Sequence, residues 1–296
     1  MNNINNILEE GKYLSGSGNT FTAFDNQEHN LPKDFFSENA KRLTNPINST
    51  MQTEGILVLH KSKNYDFEVW FFNPDGSSGM MCGNGGRCAI YFALECGYSP
   101  NYKDEDVLNF EMNEKIYSGK KKNDLYSIFF SKPNVFPKEV AVEIDAQVFD
   151  GFYVDVGTDH FVAETNNLAN FDIDYFGKKI RNDNSFAPSG TNVNFYEKLN
   201  YTNENDLTIL NLRTYERGVE KETGACGTGA ISTALVLAYK EKKLTPITIF
   251  PTSNSPLFIE FITGNSVNKK AITSDINFSD INSIVSIILT GFVEEI

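Results

Sequence analysis

The sequence predicts an α+β protein of two pseudo-twofold-related halves, each a curled, mainly antiparallel sheet around one central helix. Three observations lead to that class. A short motif occurs twice, as Cys82-Gly83-Asn84-Gly85-Gly86 and as Cys226-Gly227-Thr228-Gly229-Ala230. Each copy follows a strand-like run and precedes an apolar run of helical length. The chain has 296 residues, more than one core of roughly 150 residues usually holds, so two domains are expected. The copies lie about half the chain apart, and a duplicated domain explains that spacing.

Along the chain, DFEVWFFN places Phe67, Val69 and Phe71 at every second position, the period of a strand with one face buried. NPDGSSGMM then reads as a polar loop headed by Asn73. CAIYFALECG follows, a helix apolar on nearly every face, which other structure must surround. KIYS and LYSIFF read as strands around the Gly119–Asp124 turn, and Pro133 and Pro137 suit a crossover between the halves. EVAVEI and FYVDVG are further strands. In LTILNLRTY, Leu210 and Leu212 alternate with polar residues. The loop RGVEKETGA is headed by Arg217, which stands as far before Cys226 as Asn73 does before Cys82. AISTALVLAYKEK is the second buried helix. PITIF, LFIEFI and SIVSIIL complete the strands, with the polar stretch Gly264–Asp280 as a return connection that lets the last strand rejoin the first half. The expected halves are therefore residues 1–133 with 281–296, carrying Cys82, and 134–280, carrying Cys226.

Composition narrows the function. With 26 basic and 39 acidic side chains the formal charge is −13, which repels nucleic acid and anionic membrane surfaces. Hydrophobic residues at 40% and aromatics at 13% exclude a disordered chain. No apolar run approaches the roughly 18 residues that span a bilayer. The start MNNINNILEEGKY lacks the features of a signal peptide, so a cytoplasmic protein is expected. Four cysteines are too few for a disulfide scaffold. No CxxC pair or neighbouring histidine makes a zinc site of them, and His29, His60 and His160 are scattered. Chemistry without a metal follows. Cys88 and Cys96 lie in the first helix without counterparts in the second and read as packing residues.

The repeat itself carries the chemistry. At a helix N-terminus the unpaired amides and the dipole favour an anion, and glycine lets a ligand approach the backbone. A carboxylate can sit on the amides of Gly83–Asn84 or Gly227–Thr228. The same field favours the thiolate of a cysteine placed there. If the halves face one another, Cys82 and Cys226 meet over one cleft. One thiolate then removes a proton from a carbon and the opposite thiol returns one to the other face. The amides stabilise the enolate-like charge, so no pyridoxal is needed. The substrate would be an α-amino acid or a close relative.

At MCGNGGRC and YERGVEKETGACGTGA the chain resembles the diaminopimelate epimerase family, as do FNPDGSSGMMCGNGGRCA, the early GSGNTF and the later SGTNVNF. The resemblance spans about Lys12 to Tyr239. It implies a fold of two barrel-like halves, lysine and cell-wall precursor synthesis, interconversion of LL- and meso-diaminopimelate, no cofactor, and a homodimer. Cys82 and Cys226 would be the two acid/base groups. Gly83, Asn84, Gly227 and Thr228 would hold the reacting carboxylate. Asn19, Asn73, Asn192, Glu216 and Arg217 would contact the rest of the substrate, Arg217 through a bidentate pair with a distal carboxylate. His160 and Glu216 match positions that support the site.

The chain also departs from the family. Gly157-Thr158-Asp159-His160 stands where Gly-Asn-Pro-His or Gly-Ser-Pro-His is usual. Thr158 thus replaces a residue that contacts the substrate's distal end, and Asp159 adds a negative charge beside it. Glu54-Gly55 replaces an Asp-Gly or Asp-Gln element, PTSNSP a Pro-Gly-Gly turn, and TGFVEEI a Gly-Pro-Ala end. These departures keep open a related racemase with another substrate, such as histidine. A thiol redox protein cycling a Cys82–Cys226 disulfide is an alternative from another class, and a non-catalytic binding module is a third.

Overall fold

The computed structural model describes residues 7, 10–45, 52–78, 83–199, 208–242, 244, 246–264 and 281–296. Cys82 and all of the expected return connection except Gly264 lie outside these residues. The chain divides into two compact units, Met1–Ile128 with Thr290–Ile296, and Phe129–Leu289. The architecture is α+β.

In the first unit β1 (Lys12–Gly16) and β2 (Asn19–Asp25) form an antiparallel hairpin. Helix α1 (Lys33–Leu43) leads to β3 (Gly55–His60), which runs parallel to β2. β4 (Phe67–Phe72) returns antiparallel to β3, with Phe67, Val69 and Phe71 buried at the alternate positions. Helix α2 (Gly83–Glu95) crosses to β5 (Leu108–Met112), parallel to β4, and β6 (Lys115–Lys122) pairs antiparallel with β5. α2 packs on β1, β2, β3 and β6, and from Gly83 to Ala93 only Tyr91 is not buried. β7 (Leu125–Ser131) leads out of the unit.

The second unit repeats this succession. β8 (Val135–Ile144) and β9 (Gln147–Asp155) are antiparallel, and β10 (Asp159–Glu164) is antiparallel to β9. Helix α3 (Ile173–Arg181) connects β10 to β11 (Asn192–Lys198), which is parallel to it. β12 (Thr208–Glu216) pairs antiparallel with β11, and the short β13 (Lys221–Thr223) with β12. Helix α4 (Gly227–Glu241) crosses to β14 (Ile247–Phe250), parallel to β12, and β15 (Leu257–Thr263) turns back antiparallel. β16 (Ile284–Phe292) leads from the second unit back into the first, where β17 (Glu294–Glu295) pairs antiparallel with β1. α4 lies in the main core of the second unit, with Leu210, Leu212, Ile247, Ile249, Leu257 and Ile259 among its neighbours. A smaller aromatic core under α3 joins Phe149, Phe161, Phe195 and Tyr215.

Three features differ from the sequence expectation. Every crossover through a helix joins parallel strands, because a helical connection returns the chain to the same end of the sheet. The sheets are therefore mixed, although antiparallel ladders dominate. Helices α1 and α3 were not anticipated. Their buried residues fall at i, i+4 and i+7, as Phe36, Ala40 and Leu43 in α1 and Ile173, Gly177 and Ile180 in α3. That narrow stripe is lost among charged and aromatic neighbours. Pro137 sits inside β8 rather than in a crossover, at a shift of register between Val135 and Lys138. A bulge there excuses the missing donor.

Candidate active site

In the second unit Cys226 is the residue before the first turn of α4, with extended backbone (φ −122°, ψ 109°). Its Sγ accepts the Gly229 amide at 3.4 Å and lies 3.5 Å from Thr228 Oγ1. Gly229 is a glycine for a steric reason. A Cβ there would meet Asn194 Oδ1 at 2.3 Å and Cys226 Sγ at 3.3 Å. The motif thus lets the helix end approach β11 closely while its first amides remain available to an anion. Thr228 is the least buried residue of the turn.

Asn194 joins this helix end to His160. Its Nδ2 donates to the Phe161 carbonyl at 2.9 Å and to His160 Nδ1 at 3.1 Å, while its Oδ1 accepts from Thr214 Oγ1 at 3.0 Å. The Phe161 carbonyl fixes which end of the amide is the donor, so His160 Nδ1 must accept. His160 Nε2 then carries the proton and donates to Thr158 Oγ1, 2.9 Å away. His160 is fully buried, and burial, aided by the Arg217 charge, pushes its pKa down to about 3. It is a neutral hydrogen-bonding brace at ordinary pH.

Asp159, Asn192 and Arg217 form a second group. Arg217 Nη1 donates to Asp159 Oδ2 at 2.8 Å and to the Gly190 carbonyl at 3.0 Å. Asn192 spans the pair, its Oδ1 accepting the Arg217 amide at 2.9 Å and its Nδ2 donating to the Asp159 carbonyl at 2.9 Å. Tyr153 donates its hydroxyl to Asp159 Oδ1 at 2.5 Å. Burial acts to raise the Asp159 pKa, but the bonds from Tyr153 and Arg217 outweigh it and hold the carboxyl below its ordinary value. Glu216, next in the chain, accepts from Thr223 Oγ1 at 2.9 Å. Helix α3 braces this loop: Arg181 pairs with Glu220 at 3.0 Å, and Asp174 accepts the Glu222 amide at 3.0 Å.

In the first unit Asn84, on the first turn of α2, donates to Asn19 Oδ1, and Asn19 Nδ2 donates to Glu54 at 2.5 Å. Arg87, fully buried, donates to Asn84 Oδ1 at 2.9 Å, to Ser17 Oγ at 2.8 Å and weakly to the Gly83 carbonyl at 3.4 Å. Arg87 is not among the site residues expected from the sequence, although it is the one basic side chain of α2. Asn73 heads a loop closed by its amide to the Ser77 carbonyl and its Nδ2 to Ser77 Oγ, both at 2.9 Å. Helix α1 braces that loop through Ser37 Oγ, which donates to the Gly76 carbonyl at 2.7 Å. Gly76 has φ +84°, and a Cβ would meet the Ser37 carbonyl at 2.3 Å, so no other residue fits.

The structure thus places Thr158, His160, Asn192 and Arg217 in contact with Asp159 or with one another, and sets Cys226, Gly227 and Thr228 on the neighbouring helix end. Asn19 and Asn84 touch directly within the first unit, and Asn73 stands in its own braced loop. Cys88 is buried, and Cys96 is half-buried with its thiol pushed up to about 12 by burial and by Asp25. Such a thiol stays protonated and inert. Among the described residues no three His, Cys, Asp or Glu side chains group to hold a metal ion, and no helix is long and apolar enough to cross a membrane.

The sequence model of the diaminopimelate epimerase family matches residues 13–112 and 152–262, covering both halves of the repeat. The chain belongs to this family. Relatives named diaminopimelate epimerase include that of Aquifex aeolicus, 32% identical over 256 residues that make up 84% of this chain and 88% of the relative. The protein from Chlorobaculum tepidum is 35% identical over 234 residues, 78% of this chain and 84% of the relative. Among solved structures, a probable proline racemase from Agrobacterium radiobacter K84 superposes with a TM-score of 0.67 at 12% identity, covering 97% of this chain and 90% of that one. A PhzF-family phenazine biosynthesis protein from Bacillus anthracis gives 0.67 at 13%, covering 97% and 96%. At such identities these two share the fold alone. The matched segments take in Thr158 and Asp159 as well as both copies of the cysteine motif.

Proposed function

We propose that this chain is a cofactor-independent epimerase that inverts an amino-acid α-carbon, interconverting LL- and meso-diaminopimelate. The observation that carries the reading is Cys226 at the opening of α4, in a motif repeated at Cys82, both copies falling within the residues that the family model matches. In the proposed reaction one cysteine thiolate takes the α-proton, forming S–H as the C–H bond breaks. The electron pair moves onto the substrate carboxylate, held by helix-end amides at Gly83–Asn84 or Gly227–Thr228. The other cysteine thiol protonates the opposite face, leaving itself a thiolate and the carbon inverted. Glu216 and Asn192 would orient the substrate, with Asn19 and Asn73 contributing from the first unit. Reduced thiols are required, which suits a cytoplasmic location.

In heavy water the enzyme should wash deuterium into the α-position of LL-diaminopimelate while the meso form accumulates. Cys82→Ala and Cys226→Ala should each lower epimerisation by at least about 10³-fold, since each face needs its own proton carrier. Full turnover in either variant overturns the two-base assignment. Racemisation of another amino acid, with none of diaminopimelate, overturns the substrate.

A further inference from the structure

The Asp159–Arg217 pair is more than a neutralised cation. Among the described residues the Arg217 side chain bonds through Nη1, to Asp159, to the Gly190 carbonyl and, at 3.5 Å, to the Ser189 carbonyl. Among the described residues nothing bonds its Nε or Nη2, the side-on edge that grips a carboxylate with two parallel bonds. Asp159 likewise accepts one bond on each oxygen, from Tyr153 and from Arg217, and an ionised carboxylate has room for about four. Both side chains keep contact with solvent, at 20% and 30% exposure. Asn192 holds the pair at both backbone positions, so the geometry is preset.

Such a couple presents a cationic edge and an anionic edge side by side. A lone carboxylate is attracted by Arg217 and repelled by Asp159, and gains little. A head group with ammonium and carboxylate on the same carbon satisfies both edges at once. We propose that Asp159 is a specificity-determining residue: together with Arg217 it forms a receptor for a zwitterionic α-amino-acid head at the substrate's far end, Asp159 taking the ammonium and Arg217 the carboxylate. The inference rests on the function proposed above and goes beyond it. It makes the distal ammonium, as well as the carboxylate, a condition of turnover, and it gives Asp159 an attractive part in place of simple repulsion.

The test compares kcat/KM for α-proton exchange with LL-diaminopimelate and with L-2-aminopimelate, the same chain without the distal ammonium. Measurements are made on the wild-type protein, D159N and D159A. The wild type should favour diaminopimelate, and both variants should cut that preference at least about tenfold, as expected for loss of a charge-assisted bond. The loss should fall on diaminopimelate, while aminopimelate turnover holds or rises because the repelling charge is gone. A variant that lost both substrates equally would show a merely structural Asp159 and overturn the inference. So would a wild type that uses aminopimelate as well as diaminopimelate, a comparison that needs no variant. A wild type without exchange on diaminopimelate would overturn the proposed function and this inference with it. Exchange with an unchanged ratio in D159N would overturn this inference alone.

Discussion

Thr158 has one partner that fixes its meaning. The His160 Nε2–H is buried, and Thr158 Oγ1 receives it at 2.9 Å. Thr158→Val keeps the shape and deletes the acceptor, leaving a buried donor unpaired. The expected cost is about 1–3 kcal/mol of stability, read from the urea midpoint, with Thr158→Ser restoring most of it. An unchanged midpoint in the valine variant would remove the hydroxyl from the brace. Part of this was legible in the sequence, where the dipeptide stood out against the family pattern. The Asp159–Arg217 bond was not, because it joins residues far apart in the chain whose approach depends on β10, β11 and β12 lying side by side.

At the scale of elements, each helix that carries a cysteine motif is matched by a shorter helix that braces the loop before it. α1 holds the Asn73 loop at Gly76, and α3 holds the Arg217 loop at Glu220 and Glu222. The strands and both long helices were readable because their periodicity is strong: Phe67, Val69 and Phe71 in β4, and unbroken apolar runs in α2 and α4. α1 and α3 escaped because each shows only a three-residue stripe, and what that stripe packs against is not local information. Glycine positions report the same closeness. Gly229→Ala should cost about 1–3 kcal/mol by overpacking against Asn194, and should lower kcat as the Cys226 turn is pushed from β11. Equal thermal midpoints for variant and wild type would contradict that packing.

Over the whole molecule, the buried neutral His160 links folding to pH. Its pKa falls from the ordinary 6.5 to about 3 in the folded protein, while the unfolded chain takes up a proton near 6.5. The unfolded state therefore binds more protons between those values, and stability rises with pH there. The contribution is complete above about 6.5. It is lost as pH falls toward 3, at up to ~1.4 kcal/mol per pH unit. Urea unfolding from pH 7 to pH 4 should show this slope, and His160→Gln should flatten it. Asp159, held below its ordinary value, adds its own loss of stability once the pH falls below the usual carboxylate range. A His160→Gln protein with the full wild-type slope between pH 6.5 and 4.5 would assign the effect elsewhere.

By itself the sequence determined the α+β class, the repeated strand, loop, CGxG turn and buried helix, and the chemistry open to a cysteine at a helix opening. These follow from periodicity and turn residues, which act over a few neighbours. Only the tertiary structure decided that the strands joined across each helix run parallel, that α1 and α3 brace the Asn73 and Arg217 loops, that Arg87 locks Asn84 to Ser17, and that Asp159 meets Arg217. Those outcomes depend on register between segments distant in the chain. A buried stripe states that a partner exists, and packing alone selects which one.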